Sequence, residues 1–246
     1  MAHKLYAIHG SHPCATAERA LQLAGLPYRV VELPPGLHVA AQWLRFRRRT
    51  VPALVLGSGE AIVGSRAIVH RLHELAPDAG LLPDDPAARE RVLTAERWGD
   101  EVLQAVVRRL FWVGMARAPR AADRYAEGSR LPLPPIARRA ALPFVRRQLG
   151  WLNGATPAAA RADIAALPAQ LDAIDGWIAD GVIGGPRPNA ADLQLASSLR
   201  MLATFADVRP LLDGRPCDAL ARRVFPDYPG ALPAGALGPE LAAAAA

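Results

Sequence analysis

The sequence predicts an α+β protein in which a small domain, with a mixed four-stranded sheet and helices, is followed by an all-α helical domain. Two observations support this fold class. Short apolar runs alternate with helical patterns up to residue 76, and after a polar, proline-bearing stretch the apolar residues recur at helical spacing only. A hydrophobic content of 51% in 246 residues is ample for packed cores.

The first strand and the first helix are predicted at the amino end. Residues 4–8 form a short apolar run, which Gly10 interrupts. Pro13 suits the first turn of a helix, because its missing N–H would have no helical partner there. Gly25 marks the end of this helix. One helix face carries small or apolar residues at spacings of three, four and three, namely Cys14, Ala17, Leu21 and Ala24.

The rest of the first domain alternates strands and helices. Residues 28–33 predict a second strand, and residues 38–46 predict a helix or irregular segment. Residues 52–56 and 60–63 flank a glycine-rich turn and predict a hairpin, after which a helix begins at Ser65. A helical crossover between the first two strands implies parallel pairing, whereas the hairpin implies antiparallel pairing. This mixed sheet is the thioredoxin-like pattern.

The domains are predicted as residues 1–76, a linker at 77–85, a helical domain at 86–230 and a low-complexity tail at 231–246. Because the tail ends in five alanines, we expect it to fray.

Helix-capping residues predict where the helices of the second domain begin. Asp85-Pro86 predicts the start of a long helix that runs to about Met115, and residues 118–135 predict a loop or broken helix. Thr156-Pro157 begins another long helix, in which Pro168 predicts a kink. Asn189, with Asp192 three positions later, predicts a capping box before an apolar helix.

Composition excludes several classes of protein. Of the 29 basic residues 28 are Arg, and the formal net charge is +6. Arg pairs on predicted helices lack interleaved aromatic residues, so we interpret them as solvated faces rather than a nucleic-acid site. They are Arg108-Arg109, Arg138-Arg139 and Arg146-Arg147. Two distant cysteines form no disulfide framework, and no His/Cys cluster has metal-ligand spacing. With no signal peptide or apolar membrane span, a cytoplasmic protein without a membrane partner is expected.

The order of elements and three motifs resemble the glutathione S-transferase superfamily over residues 4–225. The motifs are Val51-Pro52, the segment Gly64-Ser65-Arg66-Ala67-Ile68 and the Asn189 capping box. The segments Ser11-His12-Pro13-Cys14 and Pro35-Gly36-Leu37-His38 are most similar to the theta type, which uses a serine at the first helix. The resemblance implies glutathione as cosubstrate without a metal, and a homodimer formed through the sheet edge and the first long helix.

Ser11 is the predicted catalytic residue. At a helix start its hydroxyl lies among unpaired N–H groups at the positive end of the dipole. Both effects favour the thiolate of a bound thiol, to which Ser11 would donate a hydrogen bond. Alternatively, Ser11 is a plain N-cap residue. A covalent nucleophile is disfavoured, because Gly10-Ser11-His12 lacks the second glycine of a nucleophile elbow and an adjacent histidine generally points elsewhere.

Cys14 is the alternative centre of chemistry. Ser-His-Pro-Cys is a Cys-x-Pro-Cys redox motif whose first cysteine is replaced by Ser11, so no intramolecular dithiol cycle can run. A monothiol reaction would need an exposed Cys14, but this residue begins the apolar face of its helix. We therefore favour a buried structural cysteine.

The resemblance implies a set of glutathione-binding residues, namely His38, Thr50, Val51, Pro52, Gly64, Ser65 and Arg66. Val51, before a cis-proline, would pair its backbone with the cysteinyl part; a trans-proline at a strand start is the alternative. Ser65 at a helix start would receive the γ-glutamyl carboxylate. His38 would reach the glycyl carboxylate, unless it is an incidental histidine.

Two of these positions depart from the family pattern. Gly64 stands where Glu or Gln is usual, and Thr50 where a lysine is common, with Arg48 and Arg49 beside it as substitutes. Asp100 of the partner subunit would be an alternative ligand for the α-amino group of glutathione.

The expected function is that of a glutathione S-transferase-like enzyme, which conjugates glutathione to a small apolar electrophile. The electrophile would lie between the domains, against the first long helix, where the candidate lining residues are Trp98, Phe111, Trp112 and Met115; such aromatic residues are also typical of a helical core. Two alternatives stay open. One is a non-catalytic binding or assembly module of the same fold that has lost tight glutathione binding. The other is a different small thiol as cosubstrate.

Overall fold

The computed structural model describes residues 2–131 and 134–238, and its amino-terminal part is a mixed sheet with three helices. The elements are β1 (His3–Ala7), α1 (His12–Leu23), β2 (Tyr28–Glu32), α2 (His38–Phe46), β3 (Ala53–Val55), β4 (Ala61–Val63) and α3 (Ser65–Leu75). The strand order is β2-β1-β3-β4, with β1 parallel to β2 and antiparallel to β3, and β3 antiparallel to β4. The predicted thioredoxin-like sheet is confirmed.

The centre of this sheet is apolar because alternate strand residues face the helices. Leu5 on β1 pairs with Val30 on β2 and with Leu54 on β3, and both leucines are completely buried. Leu21 of α1 and Ile68 of α3 are also completely buried. The helices α1 and α3 pack against each other and against a helix of the second domain, which joins the two domains into one core.

The remainder of the described chain is helical, as predicted. The helices are α4 (Pro86–Trp98), α5 (Gln104–Arg117), α6 (Ala121–Tyr125), α7 (Pro135–Leu152), α8 (Pro157–Ala179), α9 (Ala190–Leu202), α10 (Arg209–Leu212) and α11 (Pro216–Val224). A π-helical turn at Gly99–Leu103 connects α4 to α5, so the predicted long helix continues to Arg117. At Gly99 the α9 helix approaches closely, because an added Cβ would lie 3.0 Å from the Leu195 Cδ2 atom.

The helix α9 is the central element, since every one of its residues is buried. The predicted capping box is present: the Asn189 side chain accepts the Asp192 N–H, and the Asp192 carboxylate accepts the Asn189 N–H. The helix α8 continues past Pro168, where a kink was predicted. None of the helices within the described ranges is long and apolar enough to cross a membrane.

The prediction that the chain frays from Ala231 is wrong for residues 231–238. Leu232 forms a β-bridge with Phe205, and its side chain is buried against Gly114 of α5. The Asp207 carboxylate accepts the N–H groups of Gly235 at 2.6 Å and of Leu237 at 2.8 Å. Leucines spaced among alanine, glycine and proline are enough to bury this segment. Residues 239–246 lie outside the described residues.

Candidate active site

A cavity of about 630 Å³ lies between the two domains. Its amino-terminal wall includes Ser11, His38, Thr50 and Val51. The opposite wall comes from α5, α6 and α7, with Phe111, Trp112, Met115, Tyr125 and Val145 among its residues. The volume is that of a small-molecule site, and the wall combines many apolar groups with a few polar ones. The cavity therefore brings the predicted catalytic serine and three of the predicted glutathione-binding residues together.

Ser11 lies at the start of α1 with an extended backbone, φ −86° and ψ 119°. Its side chain makes no capping hydrogen bond to α1, all of whose residues are described. Among the described residues, the N–H groups of His12 and Cys14 have no backbone acceptor. The turn before the helix is fixed by a residue 218 positions later, because the Tyr228 hydroxyl donates to the Gly10 carbonyl at 3.0 Å. The helix start thus offers unused donors to an anion.

Both cysteines are buried, in agreement with a structural role for Cys14. Burial raises the pKa of the Cys14 thiol to about 11, outweighing hydrogen bonds from Ser11 and from the Ile8 N–H that lower it. Burial likewise raises the pKa of Cys217 to about 12. A ligand thiolate would accept the Ser11 hydroxyl more strongly than the neutral Cys14 thiol does, since charge-assisted hydrogen bonds are the stronger ones.

His12 points away from Ser11. Its Nδ1 atom lies 3.0 Å from the Ser198 Oγ atom of α9. Because the Ser198 hydroxyl donates to the Gln194 carbonyl, we assign the ring proton to His12 Nδ1, with Ser198 accepting it. Burial, and secondarily the Arg108 charge, hold the pKa of His12 well below its usual value. This neutral histidine ties α1 to α9 and does not act as a base for Ser11.

His38 is buried at the first position of α2, and its Nδ1 atom accepts the Gly36 N–H at 3.1 Å. Burial lowers the pKa of His38 to about 4. The neutral ring therefore carries its proton on Nε2. Since His38 also lines the cavity, the residue is suited to donate a hydrogen bond to a ligand carboxylate.

The pKa of His38 predicts a specific pH dependence of stability. Unfolded His38 binds a proton below about pH 6.5, but folded His38 only below about 4, so stability falls as pH drops through this window. We expect wild type to lose about 2 kcal/mol more than His38→Asn between pH 7 and pH 5. Urea midpoints of both proteins across this range measure the difference, and parallel curves would contradict the assigned pKa.

The Val51–Pro52 peptide bond is cis, as predicted. Within the described backbone, the N–H and C=O groups of Val51 make no hydrogen bond, whereas the Pro52 carbonyl accepts the Gly64 N–H at 2.9 Å. Val51 and Thr50 both line the cavity. Arg49 lines it as well, with its guanidinium 5.5 Å from the centre of the Trp43 ring. An extended ligand backbone has open hydrogen-bonding groups at Val51.

Gly64, Ser65 and Arg66 lie outside the cavity wall as described. Gly64 has φ 101°, a conformation that glycine adopts without strain. The Ser65 hydroxyl is buried and donates to Gln194 Oε1 at 3.3 Å. The Arg66 Nε atom is 3.6 Å from the completely buried Glu96 carboxylate. The side chains of Ser65 and Arg66 therefore already have partners in their own chain.

Asp100 reaches the start of α3 from within its own chain. Its Oδ1 atom accepts Gln194 Nε2 at 3.3 Å, and Gln194 in turn accepts the Ser65 hydroxyl. Gln104 Nε2 donates to the same oxygen at 3.0 Å. Burial raises the pKa of Asp100. This network was not predicted, because Ser65 and Gln194 are 129 positions apart.

The aromatic residues of the long helix divide between cavity and core. Phe111, Trp112 and Met115 line the cavity. Trp98 packs instead edge-on against Trp177, with ring centres 5.3 Å apart. Tyr125 was missed by the sequence analysis, because residues 118–135 showed no clear period.

The interpretation of Arg108-Arg109 as a solvated pair is wrong. Arg108 is half-buried and lines the cavity. Arg109 forms an ion pair with the nearly buried Asp163 of α8, with Nη2 and Oδ1 2.6 Å apart. Arg108 could have been recognised by its spacing of three and four from Phe111 and Trp112 on one helix face.

Residues 5–80 match the family model described as "Glutathione S-transferase, N-terminal domain". Solved structures extend the similarity to the whole fold. A glutathione S-transferase from Sinorhizobium meliloti is 19% identical with a TM-score of 0.57, covering 96% of this chain and 98% of that one. Comparison with curated proteins gave no match.

Two similar structures contain bound glutathione. A maleylacetoacetate isomerase from Anaeromyxobacter dehalogenans, with glutathione in its active site, is 22% identical with a TM-score of 0.54 and covers 91% of this chain and 88% of that one. A glutathione transferase homologue from Sulfitobacter, also with bound glutathione, is 18% identical with a TM-score of 0.51, covering 91% and 90%. The chain thus has the two-domain glutathione S-transferase fold.

Proposed function

We propose that this protein is a thiol transferase of the theta-like serine type, which conjugates glutathione or a related thiol to small electrophiles. The thiol sulfur binds beside Ser11, whose hydroxyl donates a hydrogen bond to the thiolate. The sulfur then attacks an electrophilic carbon in the cavity; the C–S bond forms, and the leaving group departs with its electron pair. The protein would act as a cytoplasmic homodimer.

The observation that supports this proposal is that the residues suited to hold the thiol and those suited to hold the electrophile line the same cavity. The start of α1 supplies Ser11 and unused N–H donors. His38 and the open Val51 backbone can hold the extended body of a thiol tripeptide. Phe111 and Trp112 face the same space from α5 and can hold an apolar electrophile. Holding both reactants in one place accelerates their reaction.

A second candidate is a non-catalytic binding or assembly module of the same fold. The observation that favours it is at α3, where Ser65 is bonded to Gln194 and Arg66 lies beside Glu96. A γ-glutamyl group would have to displace these partners and finds no side chain at Gly64. A thiol without a γ-glutamyl group avoids this cost, which is why the cosubstrate is not restricted to glutathione.

Titration calorimetry and thermal shift with millimolar glutathione, cysteine, γ-glutamylcysteine and coenzyme A test the proposal. A ligand that binds only the folded state raises the melting temperature by mass action, so at least one thiol should give saturable heat and a higher melting temperature. S-methylglutathione, which cannot ionise at sulfur, should bind more weakly than glutathione if glutathione is the cosubstrate. Absence of binding for every thiol would favour the non-catalytic module.

A further inference from the structure

The cavity contains an arginine that the proposed reaction does not use. Arg108 lies on the α5 face that also presents Phe111, Trp112 and Met115 to the cavity. Its Nη2 atom donates to the Oε1 atom of Gln104, which is completely buried. Within residues 2–131 and 134–238, no carboxylate forms an ion pair with Arg108, and the charge of Asp100 acts on it without direct contact. Its side chain is therefore a partly desolvated cation at the cavity wall.

Arg108 is also close to the start of α1. Its charge is the second cause, after burial, of the low pKa of His12, and it opposes the larger effect of burial on the pKa of Cys14. His12 directly follows Ser11 in the chain, and Cys14 lies three positions after it. An anionic group held by Arg108 would therefore lie near the position where the thiol sulfur is proposed to react.

The carboxylates of the cavity wall already have partners. Glu32 accepts hydrogen bonds from the Ser129 hydroxyl and from the Arg130 N–H, the latter at 2.8 Å. Asp123 forms an ion pair with Arg139, whose Nη2 atom is 2.7 Å from Oδ2. These two acids are thus committed to the structure of the wall and do not neutralise Arg108.

A second arginine of the wall adds to the positive charge. Arg138 of α7 lines the cavity, and its Nε atom is buried without a hydrogen-bond partner among the described residues. Low-dielectric walls focus the field of such cations into the cleft. A guanidinium gains most from a planar anion that it can bind through two parallel hydrogen bonds. The described wall is therefore complementary to a ligand with an apolar body and an anionic group.

We propose, on the basis of the transferase function above, that the preferred electrophile is an organic anion. Its apolar body lies against Phe111 and Trp112, and its carboxylate or sulfonate pairs with Arg108. Arg108 is then the residue that selects substrates by charge, and Arg138 of the same wall adds to the attraction.

A matched pair of aryl chlorides tests this selectivity: 4-chloro-3-nitrobenzoate and the neutral 4-chloro-3-nitrobenzamide. In each the thiolate forms a C–S bond and chloride leaves with the electron pair of the C–Cl bond. Enzymatic kcat/KM values are divided by the uncatalysed rate constants at the same pH. We expect wild type to prefer the acid, and Arg108→Gln to reduce the acid-to-amide ratio about tenfold or more.

The controls separate charge recognition from other effects. Arg108→Lys keeps the charge and should retain part of the preference for the acid over the amide. Arg147→Gln, at an exposed position of α7, should leave the acid-to-amide ratio unchanged. Circular dichroism and melting temperatures verify that each variant folds. Equal losses for acid and amide in Arg108→Gln would overturn the proposal, because Arg108 would then act on the thiolate rather than on the electrophile.

A binding measurement distinguishes failure of this inference from failure of the proposed function. Without any thiol, 8-anilinonaphthalene-1-sulfonate is compared with N-phenyl-1-naphthylamine, which lacks only the sulfonate. We expect tighter binding of the sulfonate, lost in Arg108→Gln and retained in Arg147→Gln. If the sulfonate binds more tightly but no thiol is conjugated, the proposed transferase function is refuted and the inference of an anion-selective cavity stands. Conjugation of the amide without any preference for either anion would refute this inference alone.

Discussion

Replacement of Ser11 by alanine is expected to lower kcat/KM for conjugation about 100-fold, which is the typical effect of removing one hydrogen-bond donor to a developing or bound anion. The hydroxyl makes no cap bond to α1, and its hydrogen bond to the buried Cys14 is to a neutral thiol. The main loss on replacement would therefore be the hydrogen bond to the bound thiolate. The thiolate would keep only the backbone N–H groups at the helix start. We therefore also expect the pKa in the pH–rate profile to rise, because the bound thiol ionises less readily.

Three comparisons test whether the loss of rate in Ser11→Ala comes from the missing hydroxyl. Ser11→Thr keeps a hydroxyl and should retain most of the rate. Ser58→Ala, in the exposed turn between β3 and β4, should have no effect on conjugation. Thermal unfolding of Ser11→Ala should match wild type, because Ser11 makes no cap bond. An undiminished rate and an unchanged pH profile in Ser11→Ala would remove Ser11 from the reaction.

Replacement of Asp192 by alanine is expected to cost about 3 kcal/mol of unfolding free energy, far more than an ordinary helix cap. The Asp192 side chain is completely buried, and its two oxygens accept the Gly184 N–H at 2.8 Å and the Asn189 N–H at 2.9 Å. Alanine leaves both donors without this acceptor in an interior that admits little water. The affected helix, α9, is the one against which α1, α3, α4 and α11 pack.

The matched control is another cap of the same chemistry. Asp85 accepts the Ala88 N–H at 2.7 Å at the start of α4, but it is exposed, so water can replace it. Asp85→Ala should cost about 1 kcal/mol. Asp192→Asn preserves the shape of the side chain and one acceptor oxygen, so its cost in unfolding free energy should lie between those of Asp85→Ala and Asp192→Ala. Urea unfolding of all three variants measures the order, and an equal cost for Asp85→Ala and Asp192→Ala would show that burial does not strengthen the α9 cap.

The fold was predictable because its signals are local. Gly10 and Pro13 bound the start of α1, and Asn189 with Asp192 specifies the start of α9 within four residues. The hairpin needs only two short apolar runs and a glycine-rich turn between them. Such signals need no knowledge of what packs against them.

The candidate site was predicted only in part, because its other residues depend on distant partners. Arg108 and Arg109 are neighbours in sequence, but Asp163 of α8 binds one and the cavity receives the other. Ser65 is a plausible ligand residue by position, and only the fold reveals Gln194 beside it. The buried segment at residues 231–238 has an unremarkable composition and is ordered by contacts with α5 and Asp207.

The hydrogen bond from Tyr228 to the carbonyl of Gly10 has a consequence for synthesis of the chain. The strands of the sheet precede the helical domain, so they leave the ribosome before it and can pair with nearby sequence. The turn that presents Ser11 acquires this support only after residue 228 has emerged, and α9 must already be in place for His12 to bind Ser198. A nascent chain therefore carries Ser11 long before it carries the hydrogen bond that supports the turn at Gly10.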